Sequence, residues 1–237
     1  MALRMYKKKL DYSYTFGIFP TIELLKIQPD KVITVLLSPD SQKSEGVNEI
    51  KKLCNGHKIN FDVSPHAINK LAQKENAHVI GVFNKYFSKL KEKTDHLVLV
   101  NPSDMGNVGT IVRTMVGFGV ENLALIRPAA DIFDPKVVRS SMGAVFHANF
   151  EYFSSFGEYE DRFSDNTAYP FILDGKLELG KFAFNRPSSL VFGNEGCGLD
   201  KSFLKYENTI KIPNSGKIDP LNLSVAVGIG LYEFLKS

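Results

Sequence analysis

The stretch HLVLVNPSDMGNVGTIVRTMVGFGVENLALIRP, residues 96–128, constrains the fold more than any other part of the chain. Leu97–Val100 and Leu123–Ile126 are short apolar runs, the mark of buried strands. Between them lie a loop of Asn, Pro, Ser, Asp and Gly, a helix-spaced run from about Val108 to Phe118, and a stop at Gly119. Two strands joined through a helix make a βαβ unit and imply a parallel sheet. The second half of the chain is therefore expected to be α/β. Further strands are expected at Tyr169–Leu173 and Ser189–Phe192, and a closing helix from Leu221.

The first half alternates as well. A helix-spaced segment around Ile22 and Leu25 gives way at Pro29-Asp30 to the β-branched run Val32–Leu37, which Ser-Pro-Asp ends. A second helix closes at Asn55-Gly56, a short strand follows around Ile59–Val63, and HAINKLAQKE and HVIGVFN read as another helix and strand. Residues 84–95, NKYFSKLKEKTD, are dominated by lysine and polar residues and read as a linker or a poorly packed connecting helix. Two domains are expected, residues 1–93 and residues 94–237. Charge divides along the same line: residues 1–95 hold 16 Lys and Arg against 10 Asp and Glu, a net +6, whereas residues 96–237 carry −3. A polyanion-facing module joined to a module with another task would have this asymmetry, although a lysine-rich surface can also be mere solvation.

Several classes are set aside. No apolar stretch approaches the ~18 residues that a bilayer-spanning helix needs, and the N-terminus lacks an apolar h-region and a cleavage site, so no membrane and a cytoplasmic location are expected. The two cysteines, Cys54 and Cys197, stand far apart without a second Cys or His at zinc spacing, so no metal is expected.

Three loops follow expected strands at their carboxyl ends, where open α/β sheets place ligands: NPSDMGNVGTIVRT, FGNEGCGLD and IPNSGKIDPLN. Singly each is ordinary, and neither the GxGxxG fingerprint nor the GxxxxGK[ST] loop occurs. Their order and spacing together resemble the three signature motifs of the SpoU-type (TrmH-like) branch of the SPOUT RNA methyltransferases. The first is carried by Asn101-Pro102, Gly106-Asn107-Val108-Gly109 and Arg113. The second is carried by Gly193, Glu195, Gly196 and Gly198, and the third by Ile212-Pro213, Leu221-Asn222 and the helix after them. Between the first two, RSSMGAVFH is similar to a family segment with Ser, Gly and Ala before an aromatic. Residues 1–93 resemble the small ribosomal-protein-like RNA-binding domain that many members carry.

The resemblance implies methyl transfer from S-adenosylmethionine to a ribose 2′-hydroxyl in structured RNA, ribosomal RNA ahead of transfer RNA. It also implies a trefoil-knotted catalytic domain and a homodimer with active sites near the interface. It places the cofactor against Gly193, Asn194, Gly196, Ile212, Pro213, Leu221 and Asn222, and the catalytic candidates are Arg113, Asn107, Glu195 and Asn222. An arginine is effectively always protonated, so Arg113 is expected to grip RNA phosphate and stabilise a developing alkoxide rather than act as a plain base. Asn107 would orient Arg113 or its loop, Glu195 would fix the second loop or help position the ribose, and Asn222 would anchor the third motif. Each also has a plainer reading: Arg113 as a surface residue, Asn107 as a helix N-cap or turn residue, Glu195 as a loop-closing acceptor, Ile212 and Leu221 as core.

One position departs from the pattern. The family has Ser before Leu-Asn in the third motif, and here Pro220 stands there, removing a hydroxyl and a backbone donor. Proline suits the first turn of the following helix, with Asp219 as its N-cap. Pro220 also raises the alternative of a catalytically weak RNA-binding paralogue that keeps the fold.

Overall fold

The structure is a computed structural model that describes residues 3–41, 44–72, 77–217 and 220–236. In chain order the elements are β1 (Tyr12–Phe16), α1 (Ile18–Ile27), β2 (Val32–Leu37), α2 (Glu45–His57), β3 (Phe61–Val63), α3 (Pro65–Leu71) and β4 (Val79–Asn84). They are followed by β5 (His96–Val100), α4 (Met105–Gly117), β6 (Asn122–Ile126), α5 (Pro135–Ser140), β7 (Asn149–Phe153) and α6 (Phe156–Arg162). The chain closes with β8 (Thr167–Pro170), β9 (Leu177–Glu178), β10 (Ser188–Phe192), β11 (Ile210–Lys211) and α7 (Leu223–Lys236).

The chain divides into two compact units, but not at residue 93. The first comprises Met1–Tyr86 together with Asp131–His147, and the second comprises Phe87–Ala130 and Ala148–Ser237. The physical reason for the split lies in the contacts of residues 131–147. The Asp131 carboxylate accepts hydrogen bonds from the Tyr6 hydroxyl (2.5 Å) and the Lys85 ammonium (2.8 Å). The Ser13 hydroxyl donates to the Phe133 carbonyl (2.5 Å), and Phe83 meets Phe133 and Phe146 edge-on. Burial alone would raise the Asp131 pKa, but the Lys85 and Tyr6 donors hold it below the ordinary carboxylate value.

In the first unit the strands run β1-β4-β2-β3, antiparallel except for the β2–β3 pair. The expected strand Val32–Leu37 is observed residue for residue, because a run of branched side chains between Asp and Ser-Pro leaves little choice. Strand β1, YSYTF, has no counterpart among the sequence expectations. Its alternate residues Tyr12, Tyr14 and Phe16 join the core, while Ser13 and Thr15 are buried and hydrogen-bonded.

The second unit is a five-stranded parallel sheet of order β7-β6-β5-β10-β8. His96–Val100 pairs with Asn122–Ile126, and Leu190 of β10 lies opposite Leu97 on the other side of β5. The expected βαβ unit is thus present at the centre of the sheet. Strands β5, β6 and β10 are almost wholly buried, which explains their continuous apolar character.

The segment expected as a linker or a poorly packed connecting helix is instead irregular and pinned: residues 85–91 form neither helix nor strand, and the chain turns at Glu92-Lys93. The Ser88 hydroxyl donates to the Phe150 carbonyl (2.7 Å) and accepts from the Phe150 N–H (2.6 Å), so one side chain satisfies both backbone groups on the outer edge of β7. The Leu90 N–H donates to Glu151 (3.2 Å) and the Lys91 N–H to the Asn122 side chain (3.1 Å). Leu90 is buried between exposed Lys89 and Lys91, an alternation like that of a strand.

At the head of β5 a buried polar chain replaces apolar packing. The Lys91 carbonyl can only accept, so His96 Nε2 carries the proton that bonds it at 2.8 Å. His96 Nδ1 then accepts from the Tyr159 hydroxyl (2.8 Å), which lies 2.5 Å from the Ser189 hydroxyl. Burial depresses the His96 pKa by disfavouring the imidazolium. Since the folded value lies below the unfolded ~6.5, the unfolded chain binds the extra proton first. This contribution to stability is complete above about pH 6.5 and is lost as the pH falls below it. We expect the melting temperature to drop between pH 7.5 and pH 5.5, with a smaller drop for His96→Gln; equal pH dependence in the two proteins would exclude this role.

Candidate active site

Loops leave the carboxyl ends of β5, β10 and β8 on the same edge of the parallel sheet. After β5 the chain turns at Asn101, whose φ of 54° is left-handed, a conformation Asn tolerates better than most residues. The Asp104 side chain then caps α4 by accepting from the Asn107 N–H at 2.8 Å. The cap is therefore Asp104 and not Asn107, and the helix begins at Met105, a few residues before the expected start.

After β10 the chain makes a tight loop, with Asn194 N–H donating to Gly198 O (3.2 Å) and Gly198 N–H to Asn194 O (2.9 Å). A Cβ on Gly193 would stand 2.1 Å from the Gly198 carbonyl carbon and 2.2 Å from the Leu199 nitrogen, so only glycine closes this loop. The Asn194 side chain locks it, accepting from the Gly196 N–H (2.8 Å) while its amide donates to the Asn101 carbonyl (2.8 Å).

Glu195 joins the first loop to the second. Its carboxylate accepts from the Ser103 N–H (3.1 Å), the Ser103 hydroxyl (2.9 Å) and the Asp104 N–H (3.0 Å). Desolvation raises the pKa of this group, but the backbone donors, its own N–H among them, and the Ser103 hydroxyl outweigh it and hold the carboxyl below its ordinary value. With its oxygens so engaged, Glu195 ties the loop after β10 to the loop after β5.

Asn222 joins the third segment to α4. Its amide donates to the Asn107 side-chain oxygen (3.3 Å), and its own oxygen accepts from the Ser224 N–H (2.9 Å) and hydroxyl (2.7 Å). Asn222 thus caps α7, which starts at Leu223. Pro220 is exposed and precedes the helix instead of opening its first turn, and the expected cap Asp219 lies outside the described residues. Asn107 is bonded to Asn222 and not to Arg113. Farther along α7, Gly230 rests on the stacked rings of Phe171 and Phe192, whose centroids are 4.2 Å apart. A Cβ there would come within 2.9–3.1 Å of both rings.

The loop after β10, the chain after β8 and the third segment line a cleft of about 400 Å³. Gly193, Asn194, Glu195, Gly196, Ile212 and Leu221 all lie in its wall, as do Phe171, Phe192, Pro220 and Ala226. Pro213 is exposed and, with Asn222, Asn107 and Arg113, is not part of the wall. Sequence reasoning missed Ile172–Asp174, Asn214 and Lys201 in the wall, and the Ser103 and Asp104 partners of Glu195. A signal existed for Ile172–Asp174, since they follow a strand at its carboxyl end. The volume and the mainly apolar wall with a few amides and exposed loop backbone suit a small organic ligand with a flat ring and polar edges. Among the described residues no cluster of three or more His, Cys, Asp or Glu could hold a metal ion.

Arg113 sits on α4 six residues beyond Asn107, which is about 9 Å along the axis and roughly 120° around it. It is exposed and makes no ion pair among the described residues. The structure therefore does not bring Arg113 and Asn107 together.

Residues 95–232, more than half the chain, match the SpoU rRNA Methylase family. The chain belongs to that family of RNA methyltransferases. The 23S rRNA (uridine(2479)-2′-O)-methyltransferase of Streptomyces viridochromogenes is 29% identical over 220 residues, 86% of this chain and 76% of that protein. A Synechocystis protein named as an uncharacterized tRNA/rRNA methyltransferase is 33% identical over 140 residues, 58% of this chain but 51% of that relative. Among solved structures, the SpoU methyltransferase AviRb of S. viridochromogenes in complex with AdoMet superposes with a TM-score of 0.82 at 23% identity, covering 95% of this chain and 90% of that one. An AdoMet-bound rRNA methyltransferase from Sinorhizobium meliloti gives 0.79 at 24% identity, covering 95% and 87%. These two likenesses are of fold. Pro220, the ground for the paralogue reading, leaves the Asn222 bonds to Asn107 and Ser224 in place, and that reading is not favoured.

Replacing Glu195 by Gln keeps the shape but turns an amide N–H toward one of the two backbone donors, because Ser103 and Asp104 bond different carboxylate oxygens. Its partners are charge-assisted but partly solvated, so Glu195→Gln should cost about 1–2 kcal/mol of stability in denaturant unfolding. A loss below ~0.3 kcal/mol would show that the loops do not depend on this carboxylate.

Proposed function

We propose that the protein transfers a methyl group from S-adenosylmethionine to a ribose 2′-hydroxyl of ribosomal RNA. The observation that carries this reading is the cleft at the carboxyl edge of the parallel sheet, walled by loops that Glu195 and Asn222 tie to the start of α4. The named activity of the Streptomyces relative, matched over 86% of this chain, supports the substrate class.

The wall fits this cofactor. Phe171, Ile212, Leu221 and Ala226 offer apolar faces to an adenine ring, and the backbone of Ile212 and Asn214, with the carbonyls around Gly196, offers polar groups to its edge. Bound there, S-adenosylmethionine supplies an electrophilic methyl on a sulfonium centre. Gly193, Asn194 and Gly196 shape the loop that would orient it, and in-line geometry follows from holding it rigidly. Glu195 is a poor choice for proton removal, because its oxygens already accept from Ser103 and Asp104. Arg113, whose guanidinium makes no ion pair among the described residues, would hold RNA phosphate and stabilise alkoxide character on the attacking oxygen.

Arg113 is not in its own chain's cleft wall, and this favours a homodimer in which α4 of one copy faces the cleft of the other. Val225, Tyr232 and Leu235, at 44–53% exposure, form an apolar stripe on α7 beside α4 that a second copy would cover. The trefoil knot belongs to the same proposal. Its support is that β10 inserts between β5 and β8, and that α7 returns to the face of α4. The basic first unit would grip the RNA, and the cytoplasm, where ribosomes assemble, is the matching location.

Purified protein, methyl-labelled S-adenosylmethionine and ribosomal RNA should yield label in alkali-resistant, 2′-O-methylated nucleotides. Label only in bases, or none, would overturn the assignment. Arg113→Ala should lower turnover by about 10²–10³-fold while calorimetry finds cofactor affinity within about twofold of the parent. Unchanged turnover would remove Arg113 from the chemistry.

A further inference from the structure

Phe87 is fully solvent-exposed, at 101% of its reference area, in a chain that buries most of its large aromatics. A fully exposed phenyl ring on a surface loop can be incidental, but this one stands on backbone that cannot move freely. Immediately after it, Ser88 is clamped to both the N–H and the carbonyl of Phe150, Leu90 is buried, and the Leu90 and Lys91 N–H groups are bonded to Glu151 and Asn122. Exposure alternates along the segment, with Phe87, Lys89 and Lys91 exposed, Ser88 half-buried and Leu90 buried, so residues 87, 89 and 91 share the outward side, about 6–7 Å apart at the spacing of a strand-like chain. Their side chains are a phenyl ring and two exposed lysines. Lys89 makes no ion pair among the described residues, and the Lys91 contact to Glu121, at 3.4 Å between side chains more than half exposed, is weak and readily exchanged.

We propose that Phe87, Lys89 and Lys91 form a binding strip for an unpaired stretch of RNA, with Phe87 stacking on a base and the lysines neutralising adjoining phosphates. The inference rests on the RNA methyltransferase reading above and extends it to residues outside the three motifs. An aromatic side chain alternating with cations on a track pinned by hydrogen bonds is what single-stranded RNA recognition requires. Every base has a face to stack on, the phosphates need positive charge, and a pinned backbone saves the cost of ordering the site on binding. The strip prefers splayed single strands over duplex, because stacked and paired bases cannot reach the ring.

The chain contains no tryptophan, so Phe87→Trp installs a single indole reporter at the site. Titrating this variant with an unstructured RNA 12-mer should quench its fluorescence, and a duplex of the same composition should not. Phe87→Ala should raise the Kd for the 12-mer by about 5- to 100-fold, and Phe87→Leu should lose most of the same affinity because apolarity without a ring does not stack. Lys89→Gln should flatten the dependence of log K on log salt by about 0.7. Since the side chains are exposed, the variants keep the parent's melting temperature and cofactor affinity.

The proposal falls if Phe87→Trp is not quenched and Phe87→Ala binds within twofold of the parent. If the parent still methylates ribosomal RNA, the enzymatic reading stands without the strip; if the parent neither binds nor methylates RNA, both fail. Quenching that follows protein concentration in the absence of RNA would assign Phe87 to self-association and likewise overturn the proposal.

Discussion

A single carboxylate organises the candidate site. Glu195 belongs to the loop after β10, yet the groups that satisfy it, Ser103 and Asp104, belong to the loop after β5. The two strands are neighbours in the sheet, so their loops leave it side by side and need only a short charged bridge to be fixed to each other. Without that bridge, two backbone N–H groups just ahead of α4 would point at solvent. Asn222 makes the matching connection from the other direction, so the start of α4 is held from two sides and becomes the fixed reference of the cleft.

Much of this was legible because the sheet is parallel and buried. Strands with both faces covered must be continuous apolar runs, and β5, β6 and β10 announce themselves in that way. The loops that follow them stand out because glycines and amides cluster where chain direction reverses. Gly193 could be singled out from sequence, whereas the reason for it, the backbone of Gly198 and Leu199 at 2.1–2.2 Å from any Cβ, could not.

What stayed hidden depends on contacts distant in sequence. Nothing local in NKYFSKLKEKTD shows that Ser88 will seal an edge of β7, since the composition is that of a linker and the edge lies some 60 residues away. The pairing of Glu195 with Ser103 spans 92 positions, so its role as a clamp was one reading among several. Arg113 shows the reverse. Its motif position is plain from sequence, while its placement outside the cleft wall of its own chain is a matter of helix geometry that no pattern records.

The interrupted first unit bears on how the chain matures. Its strands are all in hand once Asn84 has been made, but the partners of Lys85, Ser13 and Phe83 arrive only with residues 131–146. During synthesis the first β-α-β crossing of the second unit must therefore emerge before the first unit is complete. Any attempt to express residues 1–93 alone would leave a half-buried ammonium without its carboxylate and a phenyl core open on one side. The two units are distinct as bodies but cannot be separated by one cut.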